Sequence, residues 1–81
     1  MMPGVKTFRD GKGAPRLRWS CPLCPHHWDF HTTDLEHVSF FAIHHLADRH
    51  QLGALEILDL LPDLLDAVNA YPGRLPVQGP S

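Results

Sequence analysis

Two short stretches, Cys21-Pro-Leu-Cys24 and His45-Leu-Ala-Asp-Arg-His50, decide the fold of this chain. Two cysteines separated by two residues can turn the backbone around one metal ion so that both sulfurs point at it. Two histidines near the end of a following helix can then complete a tetrahedron. The spacing predicts one structural Zn²⁺ with four protein ligands, Cys21, Cys24, His45 and His50.

Other histidines compete for these places. His44 adjoins His45 and leaves five residues before His50, which is still a permitted spacing. We favour His45 because it falls on the apolar helical face that would cover a hairpin, together with Val38, Phe41 and Ala42. For the histidines just after the cysteines, a solvated or hydrogen-bonded side chain is the ordinary role. These are His26, His27 and His31.

The stretch from Arg16 to His50 resembles the two-Cys two-His zinc finger, a ββα unit. The resemblance rests on the two ligand pairs and on the aromatic Trp28 that follows the cysteines. It implies a hairpin and a helix closed around one structural zinc. Twenty residues separate Cys24 from His45, against about twelve in the family. We therefore expect the helix to begin farther from its first histidine, and the DNA-reading positions of the family do not carry over.

Alternation of apolar and polar residues predicts the hairpin. Leu17, Trp19 and Cys21 alternate with polar residues before the turn, and Trp28 and Phe30 do the same after it. The cysteines then lie at the turn of the hairpin. The core over the metal is expected to contain Trp19, Trp28, Phe30, Val38 and Phe41.

The helix is predicted from about Asp34 to Leu52. Thr33 with Glu36 three residues later reads as a capping box, and Gly53 suits the position after the helix. The face opposite the hairpin is also apolar, so a further element must cover it. That face carries Phe40, Ile43 and Ala47.

The leucine-rich stretch from residue 54 to residue 71 is the expected cover. Pro62 costs a helix interior about 3 kcal/mol unless it lies in the first turn. We therefore predict a short helix near Ala54 to Leu58 and a second one, capped by Asp59, that runs to about Tyr71. A single kinked helix is the alternative.

The predicted organisation is α+β: a small zinc-stabilised ββα finger extended by a C-terminal leucine-rich helical segment. Glycine and proline among scattered charges indicate a flexible basic arm before the finger, and a Pro/Gly-rich end indicates a disordered tail. Zinc would supply on the order of 10 kcal/mol to a core too small to fold without it. The predicted parts are 1–15 (arm), 16–53 (finger), 54–71 (helical segment) and 72–81 (tail).

Charge suggests a first function, the binding of nucleic acid by a small regulatory factor. Five of the seven basic residues precede the cysteines, where they could contact DNA phosphates. They are Lys6, Arg9, Lys12, Arg16 and Arg18. The acidic start of the helix and a net charge of −2 argue against it.

The surplus of leucines suggests a second function, a zinc-stabilised adaptor for another protein or a homodimer. Four carboxylates in the same segment have the spacing of one helical face, which serves solubility or docks a basic partner. They are Glu56, Asp59, Asp63 and Asp66.

Catalysis is the weakest function, because two thiolates and two imidazoles fill a tetrahedral zinc and leave no site for substrate. We expect no enzyme. We also expect no membrane span and no secretory signal, since Met1 to Gly13 lacks an apolar core. A cytoplasmic, reducing location follows as an expectation, and it favours metal over the alternative of a redox pair or disulfide at Cys21 and Cys24.

Overall fold

A computed structural model of the chain describes residues 4–73 and residue 75. Over these residues the chain forms a three-stranded sheet followed by helices, which confirms the predicted α+β class. The elements are β1 (Val5–Arg9), β2 (Pro15–Ser20), β3 (His27–Phe30), α1 (Leu35–Arg49), α2 (Ala54–Leu60), a 3₁₀ turn (Pro62–Leu64) and α3 (Leu65–Ala70).

The hairpin predicted around the cysteines is formed by β2 and β3. These strands are antiparallel, with Leu17 opposite Phe30 and Trp19 opposite Trp28. Leu17, Trp19 and Phe30 are buried, whereas Trp28 is partly buried. Side chains of successive strand residues point to opposite faces, so this register turns the apolar residues of both strands toward α1.

β1 corrects the expectation of a flexible arm over residues 1–15. It lies at the edge of the sheet, antiparallel to β2, with Val5 opposite Trp19 and Arg9 opposite Pro15. Val5 is buried with the hydrophobic core. The glycine and proline content had suggested that these residues are flexible. Instead they form a strand, which is stabilised by burial of Val5 and by backbone hydrogen bonds to β2. Residues 1–3 of the expected arm lie outside the described residues.

The glycines of the expected arm form the turn between β1 and β2. Asp10 organises this turn, because its side chain accepts hydrogen bonds from the backbone N–H groups of Lys12 and Ala14 at 2.8 and 3.0 Å. Gly13 adopts a φ of 80°, in the left-handed region where a glycine carries no steric penalty. Asp10-Gly11 is thus a hairpin signal rather than part of a linker.

α1 is shorter at both ends than the predicted Asp34-to-Leu52 helix. Its N-cap is Asp34, not Thr33, and the Asp34 carboxylate accepts the N–H of Glu36 at 3.0 Å. The helix ends at Arg49 because Gln51 takes a φ of 57°, which is incompatible with a right-handed helix. Gly53 is therefore the N-cap of α2 rather than the residue that ends α1.

The leucine-rich segment packs on the far side of α1, as predicted. Ile43 of α1 is fully buried, and so is Ile57 of α2. Leu64, in the 3₁₀ turn, is 1% exposed. At the end of the segment the ring of Tyr71 meets Phe40 edge-on, with centroids 6.0 Å apart.

Pro62 divides this segment into two helices, which confirms the preferred arrangement over a single kinked helix. Leu61 leaves helical geometry, and Pro62 begins the 3₁₀ turn, where a missing N–H costs no hydrogen bond. α2 extends to Leu60 instead of Leu58, so Asp59 lies inside it and caps nothing. The break also separates the four carboxylates that were expected on one face into two pairs.

The chain end was expected to be a disordered tail over residues 72–81. Residue 74 and residues 76–81 lie outside the described residues, whereas Leu75 packs against the hydrophobic core. No helix in the described part of the chain is both long enough and apolar enough to cross a membrane.

Candidate metal centre

The four predicted ligands converge at one point between the sheet and α1. The Cys21 Sγ lies 3.5 Å from the His50 Nε2, and the Cys24 Sγ lies 3.6 Å from the His45 Nε2. All four donor atoms lie within 4.8 Å of one another. A tetrahedral ion with the usual zinc bond lengths separates a sulfur from a nitrogen by about 3.5 Å. Cys21, Cys24, His45 and His50 are therefore positioned to bind a metal ion.

The turn after β2 aims the two sulfurs. The N–H of Cys21 donates to the carbonyl of His26 at 3.1 Å, which closes the loop between β2 and β3. The N–H of Leu23 donates to the Cys21 Sγ at 3.4 Å. Such backbone donation stabilises the thiolate form that a metal requires. The loop thus presents Cys21 and Cys24 on its inner side.

α1 supplies the two imidazoles from its last two turns. His45 lies on its apolar face, and His50 is the C-cap residue. The ring centroids of these histidines are 5.0 Å apart. The structure groups His45, and not His44, with the cysteines: His45 is buried, whereas His44 is exposed and its Nδ1 lies 3.3 Å from the Tyr71 hydroxyl. His45, predicted from its position on the apolar face of the helix, is therefore the histidine that reaches the site.

Aromatic rings hold His45 in position. Its ring centroid lies 4.5 Å from that of Trp28 and 5.6 Å from that of Trp19. Burial, and then the nearby charge of His50, lower the pKa of His45, which favours the neutral imidazole that offers a lone pair to a metal. Burial raises the pKa of the Cys21 thiol, so a metal that binds there must displace a proton.

The other histidines near the cysteines do not join the cluster. His26, His27 and His31 are all exposed. His26 lines the cavity at the metal centre beside Cys24, His45 and His50, and so does Arg49, to which the sequence analysis had assigned no role. Only the position of Arg49 directly before His50 could have indicated its proximity to the site.

The five basic residues predicted to contact nucleic acid lie on the β1–β2 hairpin, and two of them are paired with acids. Arg16 lies 2.8 Å from the Asp10 carboxylate, and Arg18 binds Asp29 at 2.6 Å. Arg18 holds the pKa of Asp29 below its ordinary value, and Arg16 does the same for Asp10. The positive charge at these two positions is thus partly neutralised.

The remaining basic residues are spread along the same hairpin. Arg9 donates to the carbonyl of Gly13 at 2.8 Å, and Lys12 lies in the turn. Lys6 is exposed on β1 opposite Arg18, whose guanidinium lies 4.8 Å above the ring of Phe8. Lys6, Phe8, Arg16 and Arg18 therefore share the face of the sheet that points away from α1.

The chain matches no known protein-family model, no curated protein and no solved structure. The assignment of the metal centre accordingly rests on its own geometry and donor chemistry.

Proposed function

We propose that this chain binds one Zn²⁺ and that the metal is structural. The observation that carries the proposal is the convergence of four donor atoms within 4.8 Å of one another, with two sulfur–nitrogen pairs at 3.5 and 3.6 Å, close to the edge of a tetrahedral zinc site. Two soft thiolates with two imidazoles favour zinc over the oxygen-preferring Mg²⁺ and Ca²⁺. On this proposal the chain is a two-Cys two-His finger extended by β1 and by the helical segment.

The donor set supports a structural role over a catalytic one. Four protein ligands complete the coordination of zinc and leave no position for water or substrate. The chain is therefore proposed not to be an enzyme. Zinc thiolates persist in a reducing compartment, which favours a cytoplasmic location.

We propose that the zinc-stabilised domain acts as a module that binds another protein. Support comes from the described residues, where four large apolar side chains remain exposed after the helical segment has packed on α1. Leu55 and Leu65 are 53% and 52% exposed, and both belong to that segment. The others are Leu23 and Leu35.

Nucleic-acid binding is the second candidate, and the outer face of the sheet favours it. Basic residues beside an aromatic ring are typical of sheet surfaces that bind single strands. Here the ring is Phe8, which is partly buried, with Arg18 over it and Lys6 on the same face. Binding of this kind would weaken steeply with salt and show little sequence preference.

Native mass spectrometry of the full chain, with and without a chelator, tests the proposal because it counts metal ions and chains together. The proposal predicts one zinc per chain, removed by the chelator with loss of the folded charge-state distribution. A folded chain without metal would contradict it. Titration of the zinc-loaded chain with a labelled single strand at two salt concentrations then tests the second candidate.

A further inference from the structure

A groove of 280 Å³ lies between α1 and α3, on the side of the molecule away from the sheet. Its apolar lining comes from Leu35 and Phe40 of α1 and from small residues of α3. Three carboxylates belong to the same lining. These are Glu36, Asp63 and Asp66.

We propose that this groove docks a cationic amphipathic segment of a partner protein, in which leucine-like side chains fill the groove and lysine or arginine side chains meet its carboxylates. The inference rests on the proposed function, since it needs the zinc-loaded fold to hold α1 and α3 together.

The floor of the groove is suited to apolar side chains. Phe40 is partly exposed, and Leu35 is 39% exposed. The Ser39 hydroxyl donates to the carbonyl of Leu35 at 2.8 Å, so this polar group is already satisfied and demands no partner from a ligand. Ala67 and Ala70 are small, which leaves room above α3 for an inserted side chain.

The charge of the helical half indicates a cationic partner. Residues 34–71 contain seven acidic residues and one basic residue, Arg49. Arg49 lines the cavity at the metal centre, not the groove. Among the described residues, the salt bridges join Arg16 to Asp10 and Arg18 to Asp29, both on the sheet. The groove carboxylates are thus exposed beside apolar surface, and complementary charge gives orientation and specificity to a bound segment.

The same charge disfavours other occupants. Nucleic acids and anionic membranes carry negative charge and would be repelled by three carboxylates. An amphipathic helix that lays its apolar side chains into a groove is a common mode of peptide recognition, and basic residues on its flanks fit this rim.

Fluorescence anisotropy with two labelled synthetic peptides tests the inference on the full chain. One peptide has leucines at helical spacing among lysines, and the other has the same leucines among glutamates. The chain is first shown by native mass spectrometry to carry one zinc and to be a monomer. We expect the lysine peptide to bind and the glutamate peptide not to bind.

Matched variants locate the binding. The double variant Asp63→Asn with Asp66→Asn should weaken binding of the lysine peptide about tenfold, because it removes two rim charges. The control, Glu56→Gln with Asp59→Asn, removes the same charge from α2, whose carboxylates line a different cavity. It should change the affinity less than twofold. Ala67→Leu, which fills the groove without changing charge, should also weaken binding about tenfold.

Equal losses in both double variants would overturn the inference, because they would indicate diffuse attraction. Unchanged binding after Ala67→Leu, tight binding of the glutamate peptide, or no binding to a zinc-loaded monomer would also overturn it. If the chain is a dimer and Ala67→Leu converts it to a monomer, the groove binds a second copy of this chain, and the proposed partner protein is overturned. Absence of zinc would instead count against the proposed function, so the two failures are distinguishable.

Discussion

The Cys21 Sγ lies 3.5 Å from the His50 Nε2, although 29 positions separate the two residues in the chain. Cys21 follows directly after β2, and His50 is the C-cap of α1. A metal ion held by this pair, together with Cys24 and His45, joins the end of the sheet to the end of the helix. Folding and metal binding are therefore expected to be one reaction.

Loss of one thiolate should unfold the chain. Cys24→Ser replaces a strong zinc ligand with a hydroxyl, and structural zinc contributes on the order of 10 kcal/mol to such domains. We predict loss of bound zinc, by mass spectrometry, and loss of the cooperative thermal transition, by circular dichroism. A variant that kept both would show that Cys24 is not a ligand.

Variants of the adjacent residues His44 and His45 test which of the two histidines is the third zinc ligand. His45→Gln should abolish stoichiometric zinc binding, because the buried His45 ring faces the Cys24 sulfur at 3.6 Å. His44→Gln should leave zinc content unchanged, since the contact of His44 is with the Tyr71 hydroxyl outside the site. The opposite pattern in zinc content would assign the ligand to His44.

The helical segment should be part of the cooperative fold. Ile57 is fully buried against α1, so Ile57→Ala should lower the free energy of unfolding by about 2–5 kcal/mol. Leu55→Ala, on the same helix but at a 53% exposed side chain, should change it by less than about 0.5 kcal/mol. Denaturant unfolding at a fixed free zinc concentration measures both. Equal effects would mean that α2 is not packed on α1.

β1 should be sensitive to a methyl group at Gly4. Gly4 has a φ of 84°, and a Cβ there would lie 2.7 Å from the backbone carbonyl oxygen of Ser20. Gly4→Ala should therefore cost about 1–2 kcal/mol for the left-handed backbone and about 1–3 kcal/mol more for the clash.

Gly13→Ala is the control for Gly4→Ala. Gly13 has a φ of 80° but no atom within 4 Å of the added Cβ, so only the backbone cost of about 1–2 kcal/mol remains. Hydrogen exchange of the β1 amides should show faster opening in Gly4→Ala than in Gly13→Ala. Identical exchange rates would show that Gly4 does not contact Ser20 closely.

Zinc affinity should fall as the pH falls. Cysteine thiols are ordinarily protonated at neutral pH, and burial raises the pKa of Cys21 further. The lowered pKa of His45 reduces the proton release expected from this ligand near neutral pH. Loss of a proton from the Cys21 thiol on metal binding predicts that the affinity changes by at least about tenfold per pH unit. Competition with a chelator at pH 6 and pH 7 measures it, and a pH-independent affinity would contradict thiolate ligation.

The metal centre and the hairpin could be predicted because their signals are local and chemically specific. Cysteine and histidine spacing, with the helical face choosing His45 over His44, identified the four side chains that converge, and alternation around Leu17, Trp19 and Phe30 gave the strands. The uncovered face at Ile43 indicated that a further helical layer was required. These features depend on residue type and on the periodic repeat of apolar residues, and both can be read directly from a sequence.

The first strand was missed because two signals conflicted. Glycine and proline around residues 11–15 indicated a linker, whereas Val5, Thr7 and Phe8 before Asp10-Gly11 have the composition of a strand that leads into a turn. Only the pairing of Val5 with Trp19, a tertiary contact, decides between them. The N-cap was misplaced by one residue, since Thr33 and Asp34 are both good caps and it is the Asp34 carboxylate that accepts the N–H of Glu36.

X-ray absorption at the zinc edge of the full chain, loaded with one equivalent of Zn²⁺, is the decisive test of the four-ligand site. We expect two sulfur scatterers at about 2.3 Å and two histidine nitrogens at about 2.0 Å. A first shell rich in oxygen, or any sulfur count other than two, would contradict the Cys21, Cys24, His45 and His50 site.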